Sequence, residues 1–292
     1  MPDYSSEKLN VLILAAGLGT RLRPLTNDVP KPLVPVVDKS ILEQQAIKAR
    51  TIGDVRLHAN AHYLADQVVA EGARLGFEKV WMEPEILGTA GPLKRIFNEG
   101  YRGGLLVMNG DAYCNFDLNK FVRNAMEYCS RTGAGVALLA VDFPKVNTFR
   151  VGGDGTLNGV AGRFGLDEGI AATFSGVSWY SDEALDRIKD GEFDIREFWK
   201  QEIASGRPPC VDLGQVHAAW IDMGSPEGLM AAVDARLMEL GRMGESVVYE
   251  GVTVPNSAKI EHSVLFEGAV VLENEIVKDE IRGKDFCWKL EA

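Results

Sequence analysis

Apolar runs and polar breaks alternate along most of this chain in a way that predicts short strands and helices in turn. Val11–Ala15 is a continuous apolar run, long enough for one buried strand, and it breaks directly into Gly17 and Gly19. Beyond the glycines lie Arg21, Arg23 and Lys31, before apolar residues resume at Leu33–Val37. Ile41, Leu42, Ala46 and Ile47 fall at helical spacing behind Ser40, a fitting cap. Strands are predicted over 55–60, 79–83, 105–108, 135–141, 174–180 and 216–221, and helices over 64–75, 93–98, 121–128, 181–189, 195–205 and 226–240. Residues 149–169 read as glycine-rich hairpins, and Met1–Asn10 as a frayed polar end.

Such alternation marks an α/β fold with a doubly wound, mostly parallel sheet, Rossmann-like in its layering. In these sheets ligands gather beyond the carboxyl ends of the strands, where the strand order reverses. The stretches Gly17–Lys31 and Gly110–Asp111 both leave such ends. The pattern changes after residue 245. From Val247 to Phe286, valine, isoleucine or leucine recurs near every sixth residue, which suggests a partial, left-handed parallel β-helix, with an ordinary meander as the alternative. The expected division is therefore a main domain over residues 1–245 and a short β extension over 246–292. So few turns need a cap or a partner copy, and a homo-oligomer is expected.

Composition narrows the partners. Of 292 residues, 31 are basic and 42 acidic, a formal charge of −11, which argues against nucleic-acid and anionic-membrane binding. Against that background a basic, glycine-bearing loop after a strand is an attractive receiver of phosphate, because glycine lets backbone N–H groups approach an anion. It is neither a dinucleotide fingerprint, since Leu22 stands where the third glycine belongs, nor a Walker A loop. Cys114, Cys129, Cys210 and Cys287 are scattered, as free thiols in a reducing compartment would be. With no apolar run long enough to span a bilayer and no signal peptide, a cytoplasmic protein is expected. His58 and His62 lack a third metal ligand nearby and read as packing or solvent-facing residues.

Four blocks in order carry a resemblance. They are the loop from Leu14 to Val36, Gly88-Thr89-Ala90-Gly91, Asn109-Gly110-Asp111 and Trp220-Ile221-Asp222-Met223-Gly224. Together they resemble the nucleoside-diphosphate-sugar pyrophosphorylases, the sugar-1-phosphate nucleotidylyltransferases. That resemblance implies attack of a sugar 1-phosphate on the α-phosphorus of an NTP, with pyrophosphate leaving and Mg²⁺ assisting. It places nucleotide contacts at Leu14, Ala15, Ala16, Gly17, Gly19, Thr20, Gly88, Thr89 and Asn109. Arg21 and Lys31 become the catalytic cations, and Asp111 and Asp222 the metal ligands. Glu83 and Glu85 face either the base or solvent. On the sugar side, Ser175 and Gly176 match the family, but its Glu-Lys-Pro segment is replaced by residues 159–164, leaving Arg163 as the substitute cation. Mannose-1-phosphate guanylyltransferases and N-acetylmuramate-1-phosphate uridylyltransferases are the members resembled most. A GTP enzyme for mannose- or heptose-1-phosphate is preferred, with a uridylyltransferase as the alternative and a non-catalytic nucleotide-sugar sensor as the reading of another class.

Overall fold

A computed structural model describes residues 8–290. The chain divides into two compact units. The first comprises the chain up to Gly17, Leu42–Gly110 and Cys114–Trp220, and the second Leu18–Ile41, Asp111–Tyr113 and Ile221 onward.

The first unit is built on one large sheet. Its parallel part runs Lys79–Met82, Val55–Ala61, Leu9–Leu14, Leu105–Asn109. Leu9–Leu14 thus has later strands on both sides, so the strand order reverses there, with Leu14 facing Asn60 on one side and Asn109 on the other. The frayed start expected up to Asn10 is overturned in part. Residues 1–7 lie outside the described residues, but Leu9 and Asn10 already belong to the first strand and are buried. The strand expected over 174–180 extends to Ile170–Tyr180 and pairs antiparallel with Leu105–Asn109, Val136–Val141 and Phe149–Val151. The strand expected over 216–221 is shorter, Trp220–Asp222, because Val216 and Ala218 close tight turns onto Leu213 and Gln215.

The core of this unit gathers the inward faces of the strands with helices Gly91–Asn98, Asp182–Arg187 and Ile195–Ala204. Trp179 and Trp199 are buried in the unit, Trp199 donating its Nε1–H to the Tyr180 hydroxyl. His58 is fully buried as well, with Nε2 3.2 Å from Asn10 Oδ1 and its ring stacked 5.1 Å from Trp81. Burial above all, with the nearby Arg56 charge, lowers its pKa to about 4. A folded-state value below the unfolded one means that the unfolded chain binds more protons between these values. Stability is therefore unaffected by this group above about pH 6.5 and falls as pH drops toward 4, by about 3 kcal/mol in total. Urea titrations at pH 7 and pH 4.5 should show this acid loss shrinking in His58→Gln, whose amide can still donate to Asn10.

In the second unit three short 3₁₀ turns, Thr20–Leu22, Leu25–Asn27 and Lys31–Leu33, carry the basic loop. Helix Pro226–Glu239 starts at Ser225, whose hydroxyl accepts the Gly228 N–H, and has proline in its first turn. The extension is a parallel coil and not a meander. Val247–Val248, Val264–Leu265 and Glu280–Gly283 stack in parallel, as do Lys259–Glu261 and Ile276–Lys278. Ser263 and Glu280 repeat one hydrogen bond at an interval of 17 residues, which is the length of one coil. Phe286–Lys289 then folds back antiparallel on Glu280–Gly283 and closes the last coil's edge. The extension has a small core around Leu265, Ala269, Val271 and Val277. A second core joins Val264, Phe266 and Ile281 to Val34, Val36 and Leu229, so the extension packs with the basic loop and the last helix.

Candidate active site

The first unit brings together the ends of two paired strands. Gly110 donates its N–H to the Leu14 carbonyl at 2.9 Å, and a Cβ on Gly110 would stand 2.6 Å from that oxygen, so this approach requires glycine. Across Asn109, Gly176 has φ +84° and leaves room that a Cβ would lose, at 2.6 Å from Asn109 Cγ. The sheet register slips between Phe174 and Val177, and this bulge presses Gly176 against Asn109. Ala15 and Ala16 are buried, whereas Gly17 is exposed with open space where a side chain would be.

A buried polar chain ties this strand end to the Gly88 loop. Asn60 Oδ1 accepts the Ala15 N–H at 2.9 Å, Asn60 Nδ2 donates to Glu83 Oε1 at 2.8 Å, and Glu83 Oε2 accepts the Leu87 N–H at 3.0 Å. Glu83 is thus neither solvent-facing nor free, with both carboxylate oxygens engaged inside the unit. No local pattern in the sequence marks Asn60. Its role follows from sitting opposite Leu14, which is set by strand register. Gly88, at φ +71°, lies against the Phe193 backbone, and the Thr89 N–H and hydroxyl are occupied by Phe193 O and Ile195 N.

The sugar-side residues are less united. Ser175 is buried with its hydroxyl donating to Leu139 O at 2.7 Å, and its own carbonyl accepts the Trp220 indole N–H. The same hydroxyl accepts the Val177 N–H, so it is engaged inside the unit on both counts. Arg163 is exposed and 3.8 Å from Asp194, a carboxylate that already holds Arg196 at 2.6 Å.

The second unit assembles the charged residues. Gly19 has φ +62°, and a Cβ there would be 3.1 Å from the Lys31 Cβ, while Thr26 Oγ1 donates to the Gly19 carbonyl at 2.7 Å. The loop is thereby folded back so that Gly19 and Lys31 touch. The Lys31 side chain is only 8% exposed, and its Nζ donates to Asp111 Oδ2 at 2.9 Å. Arg21 lies 3.5 Å from Asp222 Oδ2 over Gly224, where any side chain would occupy the place of the guanidinium. The Gly224 N–H reaches Asp222 Oδ1, and the Met223 N–H reaches the Asp111 carbonyl, so the two aspartates leave neighbouring backbone segments.

Two cations are thus each paired with a carboxylate, Lys31 with Asp111 and Arg21 with Asp222. Asp111 and Asp222 are each 43% exposed, open enough to take a cation from solution. Two carboxylates with phosphate oxygens and water suit Mg²⁺, which seldom uses an all-protein cage. Among the described residues no cluster of three or more acidic, histidine or cysteine side chains could hold a metal alone. The donor set fits a metal that arrives with a phosphorylated substrate. No described helix is long and apolar enough to cross a membrane.

The chain is similar to several known proteins. The nucleotidyl transferase family model matches residues 10–149. A D-glycero-α-D-manno-heptose 1-phosphate guanylyltransferase of Campylobacter jejuni is 34% identical over 128 residues, covering 41% of this chain and 56% of that protein. The N-acetylmuramate α-1-phosphate uridylyltransferase of Caulobacter vibrioides is 29% identical, covering 78% of this chain and 96% of its own. Among solved structures, HddC from Yersinia pseudotuberculosis complexed with GMP-PN shares the fold with a TM-score of 0.60 at 23% identity, covering 78% of this chain and 99% of that one. Over residues 10–149 the chain is thus similar to the nucleotidyl transferase family, and it shares the fold of the Yersinia structure.

Proposed function

We propose that the protein transfers a nucleoside monophosphate from an NTP to a sugar 1-phosphate, with guanylyl transfer to a manno-configured hexose or heptose 1-phosphate as the preferred reaction. The observation that carries the reading is the two ion pairs Lys31–Asp111 and Arg21–Asp222, whose aspartates leave neighbouring backbone segments. Such a transfer needs two anions aligned and their charge relieved, with no covalent protein nucleophile. A phosphate oxygen of the sugar 1-phosphate forms a bond to the α-phosphorus while the bond from that phosphorus to the β-phosphate bridge breaks. The electron pair leaves on pyrophosphate. Lys31 holds the attacking phosphate against the α-phosphate, and Arg21 takes the charge that accumulates on the departing pyrophosphate. Backbone N–H groups from Ala16 to Thr20 cradle the triphosphate, with Leu14, Ala15, Gly88, Thr89 and Asn109 around the nucleoside. Gly176 and the Ser175 backbone serve the sugar. Mg²⁺ bound by Asp111 and Asp222 would supply further neutralisation of the triphosphate.

The guanylyl preference is supported by the Campylobacter relative and by the guanine nucleotide named with the Yersinia structure. The Caulobacter relative, matched over nearly its whole length, favours UTP and an N-acetylmuramate-like substrate as the second reading. A matrix of four NTPs against a dozen sugar 1-phosphates with Mg²⁺, read as pyrophosphate release, separates them. GTP with manno-type phosphates should give the highest kcat/KM. Leading turnover with UTP would replace the first reading by the second, and tight nucleotide binding without turnover on any pair would support a sensor. Self-association, expected from the short coil, belongs to the same reading and is tested by light scattering.

A further inference from the structure

The residue that leads from the first coil of the extension into the basic loop is Tyr249. Its backbone N–H bonds to the Leu265 carbonyl in the next coil at 2.9 Å, and its ring stacks on Phe266 with centroids 5.0 Å apart. Its hydroxyl leaves the coil altogether. It donates to the Pro35 carbonyl at 3.0 Å and accepts the Val37 N–H, also at 3.0 Å. One phenol oxygen therefore bridges both sides of the bend that follows Lys31–Leu33.

That bend has reason to need holding. Val37 has φ +65°, a conformation that a β-branched residue rarely adopts and that costs free energy unless neighbours impose it. Beside it Asp38 takes a two-pronged grip from Arg236, 2.8 Å to each oxygen, and the Arg236 guanidinium keeps the Asp38 carboxyl far below the usual range. Val34 and Val36 are wholly buried, and the Val34 N–H closes onto the Lys31 carbonyl at 3.1 Å. From Lys31 to Asp38 the backbone is thus fixed at both ends and in the middle. Burial raises the Tyr249 phenol well above its ordinary pKa, so it keeps the proton that it donates.

We propose that Tyr249 is a positioning residue for nucleotidyl transfer, its hydroxyl clamping the Pro35–Val37 bend and so holding Lys31 at the reacting phosphates. The C-terminal extension then contributes to the rate of the reaction and is more than an assembly module. This inference rests on the transfer reaction assigned above, and its test has an arm that does not.

The test compares two variants in the full chain. Tyr249→Phe keeps the stacked ring and removes both hydroxyl bonds. Val277→Ala loosens the extension's own small core and leaves the clamp intact. In Tyr249→Phe, kcat should fall on the order of tenfold, as a small misplacement of a reacting group demands, with both KM values within about twofold. Hydrogen exchange of backbone amides over residues 31–37 should quicken, and that over residues 259–278 should stay unchanged. In Val277→Ala the melting temperature should drop while kcat below it is kept. An unchanged kcat in Tyr249→Phe overturns the proposal, as does an equal loss of kcat in Val277→Ala. Should the wild-type protein release no pyrophosphate from any substrate pair, the assigned reaction is what fails. The exchange arm then decides alone: faster exchange confined to residues 31–37 upholds the clamp, and unchanged exchange there overturns it.

Discussion

Lys31→Met should lower kcat for pyrophosphate release by about three orders of magnitude and leave the fold intact. The size follows from the work assigned to the cation. A preorganised positive group aimed at charge that develops on a transferring phosphoryl centre is worth on the order of 10²–10⁵ in rate. Lys31 is already held in place, because its stem is buried and its Nζ rests on Asp111 at 2.9 Å. Methionine keeps most of the stem's packing and deletes only the charge. Asp111 loses a partner but is 43% exposed, so water takes over its oxygen at little cost in stability. The measurement is steady-state kinetics with the best substrate pair, alongside a melting curve. Because Lys31 is assigned to the junction of the two phosphates, kcat should carry most of the loss and the NTP KM little of it. Lys31→Arg should rescue poorly, since a planar guanidinium does not fit a buried slot shaped for an ammonium. A Lys31→Met enzyme retaining more than about a tenth of the wild-type kcat would remove Lys31 from the reaction.

The two central strands of the parallel half were legible because each carries a short unbroken apolar run, Val11–Ala15 and Leu105–Met108. The coil of the extension was legible for a related reason, since a repeat leaves a period in the sequence. Ile170–Ala172 did not announce itself as a strand. Its edge position beside Phe149–Val151 leaves Ile170 and Ala171 exposed, so the burial pattern that betrays a strand is missing there. The cations and aspartates of the site were legible through three of the four short blocks, and the structure pairs them within one unit.

What the sequence could not carry is side-chain direction and strand register. Ser175 lies in a matching segment, yet the slip between Phe174 and Val177 turns its hydroxyl onto Leu139 and leaves Gly176 beside Asn109. Glu83 could face a base or solvent in the sequence. It faces neither, because Asn60 stands opposite Leu14 and presents an amide to it. Tyr249 and Pro35 are more than two hundred positions apart, and no local pattern joins them. These features depend on which segments meet, which is a property of the tertiary fold and not of any window of residues.

Asp111→Asn provides the sharpest test of the acidic half of the site. The amide keeps the size of the carboxyl and an oxygen that can still accept from Lys31 Nζ, so the loop retains its shape. What is lost is negative charge at the point where a divalent cation and a triphosphate would meet. Expected is a fall in kcat/KM on the order of 10²–10³-fold at low Mg²⁺, comparable to removing a preorganised electrostatic group from a transition state. The loss should be partly recovered as Mg²⁺ is raised, because weakened binding yields to concentration by mass action. Asp222→Asn should behave alike. Its two oxygens accept from the Gly224 N–H and from Arg21, and an amide offers only one accepting oxygen, so one of these interactions is lost and its melting temperature should drop further. If both aspartates serve one ion, the double variant should lose much less than the product of the single losses, since the second change removes a ligand from a site already emptied. Fully multiplicative losses with an unchanged Mg²⁺ dependence would separate the two residues and assign at least one of them to holding its cation partner alone.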